Sequence, residues 1–140
     1  MAYATRDDLA ARFGDDEIGQ LEASGSDLQD GTQRTTKALN DASDTVDGYL
    51  STRYATPLQT VPSLVVGWTC DIARYRMWDE QAPDEVRRRF EDAIAQLRDV
   101  ARGNMSLPNT PDGKAQPGAG VAFATYANER VFTGDTLEGF

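Results

Sequence analysis

Asp71 is the carboxylate best placed to do chemistry, because it stands between Cys70 and Ile72 in an apolar run where an unpartnered charge is costly. Such an acid works in catalysis beside a nucleophile, a base or a second acid, and the surrounding sequence supplies none. The chain has no histidine, which removes the commonest general base and metal ligand at neutral pH. Asp71 therefore reads as half of a structural ion pair, with Arg74 on the same helix as partner, or Arg53 at the end of the preceding one. Cys70, the single cysteine, reads as a small buried thiol rather than a nucleophile. The acids of Asp27 to Asp30 lack the calcium-loop register, which needs oxygen ligands at positions one, three and five, glycine at six and glutamate at twelve. They read as a solvated turn. Asp15, Asp16 and Glu17 suit the positive end of a helix dipole better than a metal. No catalytic, cofactor-binding or metal-binding residue is expected.

The elements that carry these residues follow from periodicity and capping. Thr5 with Asp8 reads as a capped helix start, Leu9, Ala10 and Phe13 continue it, and Gly14 stops it. Asp15 can cap a further turn or two through Ile18 and Leu21, and Ser24 to Gly31 reads as loop. From Thr32 to about Arg53 a longer helix carries Ala38, Leu39, Ala42, Val46, Tyr49, Leu50 and, where the face continues, Tyr54 on one face, and Asp41, Asp44 and Asp47 on the other. Pro57 and Pro62 force residues 55–62 into an extended strap. The helix from about Ser63 to Trp78 is apolar on two sides and must be central. Its Trp78, at the helix end, is the aromatic expected at an interface. After Pro83, a stripe of Val86, Phe90, Ala93, Ile94, Leu97, Val100 and Ala101 runs until Gly103 ends the helix. The pairs Glu85–Arg89, Arg87–Glu91 and Arg88–Asp92 would lie one turn apart on its solvated faces, each worth ~0.2–0.5 kcal/mol. Arg87, Arg88 and Arg89 point about 100° apart, so they form no single basic face.

The expected fold is mostly α: a small bundle of about four helices over residues 1–103, a Pro/Gly-rich linker over 104–120 and a docking arm over 121–140. Residues 121–126 have β character without an obvious sister strand, so the arm could add a strand to a partner. The arm's apolar residues have no visible place in the helical core. Val121, Phe123, Tyr126, Arg130, Val131, Phe132, Leu137 and Phe140 are accordingly the expected partner-binding residues.

Net charge is -9. Residues 1–60 carry eleven acids and five bases, while residues 84–103 balance at five of each, so the acidity belongs to the N-terminal half. Tight binding to a phosphate backbone needs clustered lysine and arginine, which this chain lacks; an acidic surface lets DNA slide past. No run approaches the roughly 18 to 20 apolar residues of a membrane span, and residues 1–13 lack a secretory apolar core. The expectation is a cytoplasmic product with no membrane partner.

Several short motifs, in this order and spacing, resemble one family. They are Tyr3-Ala4-Thr5 leading to Arg12-Phe13-Gly14, Tyr49-Leu50 with Arg53-Tyr54 and Pro57-Leu58, and Val61-Pro62. Cys70-Asp71-Ile72-Ala73-Arg74-Tyr75, Arg89-Phe90-Glu91-Asp92-Ala93-Ile94 and Leu97-Arg98 follow, then Arg130-Val131-Phe132 with Asp135, Leu137, Gly139 and Phe140. Over nearly its whole length the chain resembles the small helical head-to-tail connector (adaptor) proteins of Mu-like and related tailed bacteriophages. The resemblance implies a non-catalytic adaptor without cofactors, assembled in the host cytoplasm into an oligomeric ring, often of twelve copies, beneath the portal. Its implied place is the virion neck. Implied partners are the portal protein, neighbouring adaptor subunits and a downstream neck or tail protein, with DNA passing through the channel without sequence-specific binding. Gly134 departs from the pattern, since a basic residue is expected there, which removes any salt bridge made at that position.

Rival readings are a neck protein further down, such as a stopper, and a helical DNA-binding regulator, whose affinity for duplex DNA would fall steeply with salt. A third is a non-catalytic subunit or inhibitor that inserts its tail into an enzyme groove and copurifies with that enzyme.

Overall fold

A computed structural model describes residues 2–24 and 31–108. The Asp27–Asp30 turn, the 121–126 segment and every expected arm residue lie outside the described residues. Five helices form among those described, α1 (Arg6–Phe13), α2 (Asp15–Ala23), α3 (Gly31–Leu50), α4 (Ser63–Trp78) and α5 (Asp84–Arg102), which bears out a mostly α fold.

Thr5 caps α1 from extended backbone; its hydroxyl accepts from the Asp8 amide while the Asp8 carboxylate accepts from the Thr5 amide, a reciprocal box that satisfies two otherwise orphaned donors. Gly14 turns the chain at φ 96°, a conformation that side chains rarely adopt, and so lets α2 begin at the next residue. The turn or two expected after Asp15 is in fact a nine-residue helix that buries Ile18 and Leu21, with three acids in its first turn complementing the dipole. Gly31 opens α3 where α2 passes close by: a Cβ there would stand 2.7 Å from that of Glu22.

Ala38, Leu39, Ala42, Val46 and Leu50 repeat every three or four residues and form the buried stripe of α3. The helix ends at Leu50, earlier than expected, and one more turn carries the chain to Tyr54, whose amide donates to the Leu50 carbonyl. The strap then crosses to α4. Its Leu58 is buried, and its amide donates to the Tyr3 hydroxyl, which itself donates to Asp47; the Tyr3 amide donates to Ser43. Tyr3 thereby ties the N-terminus, α3 and the strap together.

The central helix is α4, as its two apolar sides require: it packs against α1, α2, α3 and α5 and buries Val65, Trp68, Cys70, Ile72, Ala73 and Met77. At ~1.5–3 kcal/mol for each large apolar side chain taken from water, this helix holds the bundle together. The buried Cys70 thiol is pushed up to about 12 by desolvation. Along α5, Val86, Ala93, Leu97 and Val100 are buried while Phe90 stacks on Tyr75 with ring centres 4.2 Å apart. Gly103 ends α5 in the left-handed conformation, its amide bonded to the carbonyls of Asp99 and Val100. The chain stays on the body beyond that point: Met105 and Leu107, in the stretch read as the start of the linker, pack on the core. No helix among the described residues is long and apolar enough to cross a membrane.

Candidate interaction surface

Asp71 and Arg74, expected to pair, go to different partners. The Arg74 guanidinium donates from Nη2 at 2.8 Å and from Nε at 3.2 Å to Glu17 Oε1 on α2, and that same oxygen accepts the Trp78 indole N–H at 3.2 Å. Asp71 instead stands 3.9 Å from Arg89 on α5. The physical reason is reach: a long guanidinium on the central helix can cross to α2, where a carboxylate also receives the indole, and this draws it away from an acid on its own helix. Arg74 acts on Asp71 only through space. Burial pushes the Asp71 carboxyl above its usual range, and the cations of Arg89, Arg12 and Arg74 pull it partly back. The ring of Phe13 lies against both Arg74, at 4.2 Å, and Arg89, at 5.7 Å, so one aromatic from α1 spaces two cations belonging to α4 and α5.

Arg53, the alternative partner for Asp71, does something else. Its Nη1 donates to the carbonyls of Val100 and Met105, both at 2.9 Å, and so caps α5 and holds the residues after it. The adjacent Tyr54 hydroxyl accepts the Leu107 amide at 2.9 Å. These two consecutive residues hold the stretch from Val100 to Leu107 against the helical body. Sequence reasoning missed this role; Arg53-Tyr54 placed directly before a proline-bound strap was the available signal.

At the other end of α3, Arg34 donates to the last carbonyls of α4 through Met77 O at 2.9 Å. The chain there turns at Asp79 with φ 56°, a strained value for a residue with a side chain, and continues as a short 3-10 turn, Asp79–Gln81. A cavity of about 400 Å³ opens beside this elbow, walled by Leu21, Arg34, Met77, half-buried Trp78, Asp79 and Glu80. Trp78, expected at an interface, is thus pinned through its indole N–H to Glu17 and presents its ring to the cavity. An adjoining cavity of about 480 Å³ shares Arg34, Met77, Asp79 and Glu80 and adds Lys37, Asp41 and Arg76. The Glu85–Arg89 pair forms at 3.9 Å, whereas Arg87 turns back to Asp84 at 2.9 Å. Among the described residues no cluster of acids and cysteine has the makings of a metal site.

Compared with known proteins, the chain matches the family described as "Bacteriophage Mu, Gp36" over residues 3–125. The chain belongs to the bacteriophage Mu Gp36 family. It is 34% identical over 144 aligned residues to "Mu-like prophage FluMu protein gp36" of Haemophilus influenzae, an alignment that covers all of this chain and 99% of that protein. It is 32% identical over 119 residues to "Gene product J" of Escherichia phage Mu, covering 84% of this chain and 77% of that one. The Gp36 match starts at the Tyr3 anchor, takes in all five helices and the Arg53–Tyr54 clamp, and continues past Pro108. Both the helical body and the beginning of the expected arm are therefore Gp36-family features.

Proposed function

We propose that this Gp36-family protein is a structural, non-catalytic head-to-tail connector of a tailed bacteriophage. Copies form a ring under the portal, join capsid to tail at the virion neck and let DNA pass. The observation that carries this reading is the full-length similarity to gp36 of a Mu-like prophage, together with the connector-like motif order along the whole chain.

The helical body supports it. Its apolar stripes are consumed internally, and every buried side-chain nitrogen or oxygen among the described residues has a hydrogen-bond partner. A body of that kind behaves as a rigid block, and attachment falls to surfaces and to the residues beyond the Arg53–Tyr54 clamp. Asp7, Asp15, Asp16 and Asp44 are exposed on the body, which suits a wall that repels phosphates as DNA moves past.

Copurification with the portal protein of the same phage tests this reading. The full chain is expected to bind it, and a chain lacking residues 121–140 is expected to lose binding while its far-ultraviolet circular dichroism stays nearly unchanged. Undiminished binding by the shortened chain would remove the arm from the account, and a full chain that never binds portal or another neck protein would remove the connector role.

A further inference from the structure

The cavity beside the Asp79 elbow has an uneven charge balance. Asp79 and Glu80 are exposed at its rim and make no ion pair among the described residues, while Glu17 is occupied by Arg74. Among the described residues that line it, the one cation, Arg34, donates to the Met77 carbonyl. Beside the rim acids lies the half-buried ring of Trp78 over the buried Leu21 and Met77. Such a site fits a short segment that brings one cation followed by apolar side chains. The neighbouring cavity shares Asp79 and Glu80 but adds Lys37 and Arg76 against Asp41, so its charges balance, and the acid excess lies on the elbow side.

This chain contains such a segment beyond the described residues. We propose that the elbow cavity receives Arg130-Val131-Phe132 of a neighbouring copy, an inference that rests on the reading that copies of this chain associate. Arg130 meets Asp79 and Glu80, and Val131 and Phe132 cover Trp78. Leu107, near the end of the described residues, is held by Tyr54 past the C-terminal end of α3, whereas the cavity adjoins Arg34 in the first turn of that helix. Arg34 and Leu50 are about 24 Å apart along the helix axis. A donor at one end and an acceptor at the other make a head-to-tail contact, the kind that closes rings. The 109–129 stretch, extended, spans roughly 70 Å, enough to reach the cavity of either copy, so the choice of a neighbour rests on the reading that copies associate.

Mixing two chains that each carry one introduced cysteine tests it, one with Thr133→Cys and the other with Gln81→Cys. The native Cys70 is fully buried and does not compete. Mild oxidation is expected to give a covalent dimer of the two different chains. Adding Arg130→Glu to the first, or Glu80→Arg to the second, should lower the yield about fivefold or more, and using both should restore it. Circular dichroism verifies that each variant is folded. The inference is overturned by a yield no higher than with Ser51→Cys in place of Gln81→Cys, by charge reversals without effect, or by cross-linking confined within a chain that carries both cysteines. Rings on the portal without this cross-link would sink the contact and leave the connector role standing; the cross-link without portal binding would do the reverse.

Discussion

Glu22 joins three helices through one carboxylate. It accepts Arg6 Nε of α1 at 2.8 Å and Nη2 at 3.1 Å, and the Thr35 hydroxyl of α3 at 2.7 Å. Hydrogen bonding from Arg6 above all, with help from Thr35, holds its carboxyl below the usual range. An acid whose folded pKa is depressed adds stability above its ordinary pKa and loses it as the pH falls through the folded value. Glu22→Gln should therefore cost about 1 kcal/mol by urea unfolding near neutral pH, and the difference should vanish in strong acid. A cost that is the same at both pH values would refute that assignment. Asp71 has the opposite sign: burial raises its carboxyl, so the folded state binds the proton more tightly and this group's contribution declines as the pH rises through the carboxylate range. Asp71→Asn should leave the urea midpoint at neutral pH unchanged or higher, and a loss above about 1 kcal/mol would show that the Arg89 pairing outweighs the burial. That Asp71 is a half-buried acid was legible in the sequence, because its neighbours are apolar on the most apolar helix. Its partner was not, because Arg74 crosses to Glu17, far away along the chain, and leaves Asp71 to Arg89 on the next helix.

At the scale of elements, the helices that cover long apolar repeats were readable, and α4 was recognisably central because it is apolar on two sides. The features that escaped are those without a repeat. The Asp79 elbow depends on one backbone angle, and the anchoring of residues 105–107 depends on main-chain groups that Arg53 and Tyr54 happen to face. Periodicity does not report such contacts. Tyr54→Phe tests the second: it leaves the buried Leu107 amide without its acceptor and should destabilise the protein by about 1–3 kcal/mol in denaturant titration. Protease cutting just past Gly103 should also become faster than in the parent. Unchanged cutting would mean that the clamp does not hold the exit of the chain.

For the whole molecule, the connector account divides the work between the helical body and the arm. The Arg53–Tyr54 clamp holds residues 105–107 at one end of α3 while an acid-rimmed cavity opens at the other. The family was legible from the order of weak motifs, because their spacing follows the helices and turns of this chain; a ring and its neighbours would be properties of an assembly, which the spacing within one chain does not encode. The most direct test is electron microscopy of this chain produced together with the portal protein of its phage. The connector account predicts a closed ring of this chain stacked coaxially on the portal, with residues 121–140 in contact with the portal or the adjacent subunit. Portal particles bare of this chain, with the protein recovered separately as a monomer, would contradict it.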